Sequence, residues 1–475
     1  MKPIIKYILI LIAIVWSQAC KVPALSVKQE NKVVPVGYSN MQDTMNMVSI
    51  PWRNFFSDPH LIALIDTALQ NNQELNIMLQ EIEMSKNEVF QRQGEYKPSV
   101  NIRAGIAADR SAKYTWDGFS EEAYKTSPDK GRQYIGDFMV GTYFSWELDV
   151  WKKLRNATKS AAIKYSAAVE GRNFIVTHII AEIADSYYEL MALDNQLDIV
   201  QQNIDLQSNV LKVIKQQKEA AKVTQLAVNR FEAQLLNTKN LRYQINQQIT
   251  ETENRIRYLT GKYTPKIERN SVLFNTISIG ELQTGIPSQL LMNRPDIRQA
   301  ELNIAAAKLD VQVAKANFYP SFSIKAGLGF RAFNPLYLVQ PASILYNLAG
   351  DMVAPLINKN AIIATYYNAN TQQTQAVYAY EQTILTAYTE VLNQLAKADN
   401  FSSSFEMKSK EVDILLQSVA ISNNLFNSAR ADYMEVLLTQ RDALESKMQL
   451  IEIRMKQLSA KVNIYRALGG GWGKG

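Results

Sequence analysis

One cysteine, Cys20, stands in a chain of 475 residues, so no disulfide can form within it and its stability has to come from packing. Histidine is nearly as scarce. His60 and His178 are far apart, without metal-ligand spacing, and neither a P-loop nor a nucleophile elbow accompanies them. That leaves no catalytic constellation, no metal site and no cofactor site, and it argues against an enzyme. Met41, Met45 and Met47 could serve as soft ligands, but they read more simply as part of a linker. His178 lies in a helical run and reads as a packed or surface residue. No basic stripe interleaved with aromatics occurs. The formal charge is +6, or +4 without Lys2 and Lys6, which excludes nucleic acid as a partner. The apolar run Ile8–Val15 is too short to cross a bilayer.

That run follows Lys2 and Lys6 and precedes Ser17-Gln18-Ala19-Cys20, the pattern of a signal peptide over 1–19. The lone cysteine sits at the cleavage junction. It is similar to a bacterial lipobox, with Ser17 where Leu is usual, so Cys20 is expected to be lipidated, palmitate being one acyl group. Composition is 47% hydrophobic and 20% charged, enough to build a core.

Proline and glycine are absent from 172–260 and from 356–468, stretches of 89 and 113 residues. Such lengths point to coiled coil or helical repeat. Ile183, Leu190, Leu197, Ile204 and Leu211 recur every seven residues, joined by Leu193, Val200 and Ile214. Ile384, Val391, Ala398, Phe405, Val412, Val419 and Phe426 do the same in the second stretch. Both are left-handed coiled-coil seams, interrupted by Gln207, Ser402 and Ser409. The expected helices are 154–218 returning through 224–260, and 358–426 returning through 432–467. The first is roughly 100 Å long at about 1.5 Å per residue.

Elsewhere the period is two. Phe138, Val140, Thr142, Phe144, Trp146 and Leu148 alternate with Met139, Gly141, Tyr143, Ser145 and Glu147. Phe322, Ile324, Ala326, Leu328 and Phe330 alternate with Ser323, Lys325, Gly327, Gly329 and Arg331, and Val100–Ala107 behaves likewise. Ile344–Ala354 alternates poorly. Strands of this length, apolar on one face and polar on the other, suit an outer membrane. Four strands cannot close a barrel, and an open edge in lipid leaves backbone groups unpaired at several kcal/mol each. Membrane strands here therefore require an oligomer.

The chain also repeats itself. Pro98, Ser99, Ile102 and Gly105 match Pro320, Ser321, Ile324 and Gly327 at an offset of 222. Ile183, Tyr187 and Glu189 match Ile384, Tyr388 and Glu390 at 201, and Ala221, Val228 and Gly261 match Ala429, Val436 and Gly469 at 208. This is a tandem duplication.

Five stretches carry a resemblance to the TolC-like outer-membrane efflux factors, lipoprotein branch (the OprM and NodT type). They are Trp52–Pro59, Ser145–Trp151, Ile286–Ile297, Ala431–Arg441 and Tyr465–Trp472. The resemblance implies a mainly α fold with membrane β. Long coiled-coil helices make a periplasmic tunnel, and a homotrimer gives four strands per protomer to a 12-stranded outer-membrane β-barrel. It implies a passive conduit for drugs, toxic compounds or metals, docked to a periplasmic adaptor and an inner-membrane transporter, in the outer membrane of a Gram-negative bacterium. A type I protein-secretion channel and a structural coiled-coil lipoprotein are the alternatives. The organisation that follows is a linker 20–50, then a first repeat 51–260 with strands about 99–109 and 136–149 and hairpin 152–260. An equatorial segment 261–292 leads to a second repeat 293–468 with strands about 321–331 and 343–354 and hairpin 357–468, then a tail 469–475. Arg103, Glu147, Lys325 and Arg331 are expected in the barrel lumen. Arg430, Asp432 and Glu435 are expected at the periplasmic gate and adaptor tip. Two departures stand out. Ala429 replaces the glycine frequent at that tip, and Leu438-Thr439-Gln440-Arg441 lacks an acidic residue common in relatives.

Overall fold

The computed structural model describes residues 22–26, 28–38, 46–109, 135–263, 266–277, 283–428 and 430–472. Helix α1, Pro59–Asn71, starts because Asp58 accepts from the His60 amide and Pro59 needs no partner for its missing N–H. Asn72 ends it, and its side chain accepts from Leu75, opening α2, Gln73–Glu95. Strands β1, Ser99–Asp109, and β2, Ile135–Leu148, follow. Asp149 then accepts from the amides of Leu154 and Arg155 and launches α3, Lys153–Glu219. Burial alone would raise the Asp149 carboxyl, but these bonds outweigh it and hold it below its ordinary range.

Helix α4, Gln225–Thr260, is capped by Thr224 and ends at Gly261. After α5, Pro295–Ala316, come β3, Ser321–Ala332, and β4, Ile344–Val353. The chain closes with α6, Asn360–Asn427, and α7, Tyr433–Ala467. The helix ends correct the offset of 201. Glu219 and Asn427 end their helices 208 apart, and Gln225 and Tyr433 begin theirs 208 apart. A heptad pattern matches itself after a slip of seven, so periodicity alone could not tell 201 from 208.

Two compact units result, each drawing on both repeats. One holds the segment up to Gln29, Glu83–Ser166 and Leu302–Tyr378; the other holds Glu30–Ile82, Ala167–Glu301 and Ala379–Gly475. The first contains one four-stranded antiparallel sheet, in the order β1-β2-β3-β4. Its registers pair Arg103 with Gly141, Gly141 with Gly329 and Gly329 with Leu345, so the alternating faces agree across all four strands. One face is apolar, and among the described residues no layer covers it. Ile102 is 79%, Ile106 82%, Tyr346 82% and Leu348 78% exposed. A half-buried sheet of a soluble sandwich would hide these side chains.

In the second unit the seam of α3 is dry. Ile183, Leu190, Val200 and Ile214 are fully buried, each worth roughly 1.5–3 kcal/mol. The exception is Gln207, buried in the same seam with neither amide atom bonded to protein. Helix α6 is different. Met407, Ile414 and Ile421 repeat every seven residues and are 57–63% exposed, an apolar stripe without a partner helix among the described residues. Among the described residues no helix is long and apolar enough to cross a membrane.

Candidate functional site

The polar face of the sheet gathers all four lumen candidates. Arg103, Glu147, Lys325 and Arg331 occupy alternate positions that the registers bring to one side. Three are paired. Lys325 meets Asp351 at 2.9 Å, Arg331 meets Asp137 at 2.6 Å, and Glu147 meets Lys153 at 2.9 Å. Arg103 has no ion pair among the described residues. Asp137 and Asp351 were missed by sequence reasoning. Asp137 lies one residue before the alternation chosen for β2, and Asp351 lies in the strand that alternates poorly.

Glycine clusters on this same face, at Gly105, Gly141, Gly327 and Gly329. A Cβ on Gly141 would come within 2.9 Å of the Leu328 carbonyl and 3.0 Å of the Gly329 Cα, so the strands approach too closely for a side chain there. Small residues on the polar side and Phe, Trp, Leu and Ile on the other suit a sheet curved with its polar face inward.

The hairpin tips form a second cluster. Between α3 and α4, Ala221 adopts a left-handed φ of 59° and the Lys222 amide donates to Gln217 at 2.8 Å. Between α6 and α7 the Arg430 amide donates to Leu425 at 2.8 Å, the same bond 208 residues on. Ala429 lies outside the described residues. Asp432 is the N-cap residue of α7 but makes no side-chain cap, and Glu435 sits in the first turn, where the helix dipole favours an anion. Arg430, Asp432 and Glu435 are all exposed, and among the described residues no ion pair joins them within the chain. The two tips are neighbours. Arg230 Nη1 lies 3.0 Å from Met434 Sδ, and the rings of Phe231 and Tyr433 are 6.5 Å apart.

A third polar group surrounds Arg294, buried at 5% exposure. Its guanidinium donates to both carboxylate oxygens of Asp296 (3.1 and 2.8 Å), to Glu390 at 2.9 Å and to the Ala467 carbonyl at 2.6 Å. Burial works against the charge, but the bonds to Asp296 and Glu390 outweigh it and raise its pKa. Arg466 donates to the other Glu390 oxygen at 2.6 Å and lies 3.3 Å from His178 Nδ1. Burial, then the Arg466 charge, hold His178 below its ordinary pKa, so it is neutral at pH 7. An open cavity of about 670 Å³ adjoins these residues. Four of the charged side chains that line it, Arg294, Asp296, Glu390 and Arg466, are joined to one another in one ion-pair network. Among the described residues no group of three His, Cys, Asp or Glu could hold a metal ion.

Cys20 lies outside the described residues. Two residues on, Val22 packs with Leu25 on Phe318, Tyr366, Ile362 and Ile363, just before β3 begins and just after α6 begins.

The sequence profile described as outer membrane efflux protein matches residues 64–262 and 286–470. The chain is 25% identical over 421 residues to the probable outer membrane lipoprotein SilC of Salmonella typhimurium, covering 89% of this chain and 88% of that protein. It is 26% identical over 421 residues to the solvent efflux pump outer membrane protein SrpC of Pseudomonas putida, covering 88% and 87%. The open state of the MtrE outer membrane channel of Neisseria gonorrhoeae shares the fold with a TM-score of 0.82. That match has 18% identity over 95% of this chain and 98% of that one.

Proposed function

This chain belongs to the outer membrane efflux protein family, and from that premise we propose that three copies close their sheets into one 12-stranded barrel in the outer membrane. The observation that carries the reading is the sheet itself. It ends at two open edges, β1 and β4, and exposes its apolar face. Unpaired edges and a bare apolar face are both untenable in one copy, and both are resolved when copies join edge to edge in lipid. The exposed heptad stripe of α6 supports the same assembly, because a neighbouring helix would complete its seam.

In this assembly the polar face lines a water-filled lumen, with Arg103, Glu147, Lys325 and Arg331 on its wall. The four long helices of each copy continue the conduit through the periplasm. The paired hairpin tips form its inner end, with Arg430, Asp432 and Glu435 repeated around the axis. The conduit is passive and exports small molecules delivered by an inner-membrane transporter through a periplasmic adaptor. A lipid on Cys20 suits this reading, because Val22 holds the N-terminal segment beside the start of β3, where the membrane begins. Native mass in mild detergent tests the assembly. Three copies are expected, and a monomeric particle would remove the reading.

A further inference from the structure

The duplication contains information about the junction between copies, and the inference drawn from it rests on the three-copy reading above. We propose that β1 of one copy pairs with β4 of the next so that Arg103 lies opposite Val353 and Gly105 opposite Asp351. Arg103 thereby completes a charge cluster in the lumen with the neighbouring copy's Lys325–Asp351 pair.

The register follows from the repeat. Ser99 and Ser321 begin β1 and β3, which correspond at an offset of 222. Within its own repeat Ser99 pairs with Ser145, and Ser321 pairs with Val353, so β2 and β4 correspond at 208. Going around a closed ring, the second strand of one repeat always meets the first strand of the next. That junction occurs once inside the chain, between β2 and β3, where Ser145 pairs with Lys325 and Tyr143 with Gly327. Carried over by the two offsets, Ser145 becomes Val353, Lys325 becomes Arg103, Tyr143 becomes Asp351 and Gly327 becomes Gly105. Ala107 then faces Ala349.

Charge chemistry fits this placement. At the β2–β3 junction Arg331 pairs with Met139 but reaches diagonally to Asp137, two residues earlier, with bonds of 2.8 and 2.6 Å. Arg103 and Asp351 stand in the same diagonal relation, since Asp351 precedes Val353 by two. Cross-strand diagonals are within reach of long side chains. Asp351 already bonds Lys325 through Oδ2, and a carboxylate accepts more than one donor. Gly105 presents no side chain opposite Asp351, and nothing lies within 4 Å of the place a Cβ would take. Arg103 is also the lumen candidate left without an ion pair among the described residues. The simplest rival register sets Ser99 level with Val353 and puts Arg103 opposite Ala349. It differs by four residues, about 13 Å along the strand.

Paired cysteines separate the two. Ala107→Cys with Ala349→Cys, oxidised in the assembled protein in detergent, should give covalent dimers and trimers on a denaturing gel. Arg103→Cys with Ala349→Cys should give none. The opposite pattern overturns the register, and so does failure of both pairs in a particle whose native mass is three copies. A monomeric native mass would instead sink the three-copy reading. Arg103→Glu should lower the temperature at which trimers dissociate, and Arg103→Lys should restore most of it. Equal dissociation temperatures for Arg103→Glu and the parent would overturn the charge cluster.

Discussion

Arg294 and Asn72 make the same hydrogen bond in the two halves of the chain. Arg294 donates to the carbonyl of Ala467 at 2.6 Å, and Asn72 donates to the carbonyl of Leu259 at 2.8 Å. The donors are 222 residues apart and the acceptors 208, the two offsets of the duplication. Each acceptor closes a helix whose next glycine turns left-handed, Gly261 at 63° in one half and Gly469 at 95° in the other. Both glycines approach the backbone of the preceding repeat element, at Asn71 and Asn293, where a Cβ would collide. The two halves thus share one contact, made by an amide in the first and by a buried, doubly paired cation in the second.

That difference sets the first expectation. Arg294→Met leaves Asp296 and Glu390 without their buried partner and should cost about 3–5 kcal/mol. Thermal melting followed by helical circular dichroism should show it, whereas Asn72→Ala should cost less because no charge is stranded. Equal losses would mean that the charge of Arg294 is not what holds the helix end.

A second expectation concerns Asp185, which burial pushes up to about 6 against the bond from Asn463. A carboxyl whose folded pKa is raised binds its proton more tightly folded than unfolded, so stability falls as pH rises from about 4 through about 6 and is level above. Asp185→Asn should therefore stabilise the protein by on the order of 2–3 kcal/mol at pH 8 and by little at pH 4. Melting curves at both pH values decide it. A gain that is the same at both would assign the effect to packing.

Lipidation of Cys20 predicts an intact mass above that of the bare chain from Cys20 onward, with the increment lost in Cys20→Ser. The substituted protein should still assemble, because the barrel anchors it more firmly than acyl chains do. A parent mass equal to the bare polypeptide would end the proposal.

At the second hairpin tip, Arg430 has no ion-pair partner within its own chain among the described residues, which leaves it available to Asp432 or Glu435 of a neighbouring copy. Arg430→Ala, and Asp432→Ala with Glu435→Ala, should each raise open probability in planar bilayers, and the double change should weaken cation preference. Unchanged conductance and selectivity in both would make these residues ordinary surface charges, whose pairs contribute at most about 1 kcal/mol.

Much of the fold was legible in the sequence because side-chain period reports it directly. The alternation over 100–107, 138–148 and 322–331 found the bodies of β1, β2 and β3, but left their ends up to three residues short of Ser99–Asp109, Ile135–Leu148 and Ser321–Ala332. It could not place β4 by itself, since Ala349 and Gly350 blur its faces. Register, not composition, assigns Asp351 to the polar side. Alternation also says nothing of crowding. Gly327 is on the polar face, yet the Asn347 and Tyr143 side chains lie over it, so a larger side chain there has to displace the Asn347 amide. The Arg294 network was visible only as part of a familiar stretch, because its partners Glu390 and Ala467 are distant in sequence. Gln207 was visible as an interruption of the seam, but not as a buried amide without protein partners.

The central claim is that the polar face lines a water-filled passage and the apolar face meets lipid. Single-channel conductance of the reconstituted protein tests it most directly, using one cysteine on each face of β1 in a Cys20→Ser background. Asn101→Cys should lose much of its conductance when a bulky thiol reagent is added, because three adducts would narrow the lumen. Ile102→Cys, one residue on, should conduct as before. Block at Ile102→Cys with none at Asn101→Cys, or no conductance by the unmodified protein, would contradict the account.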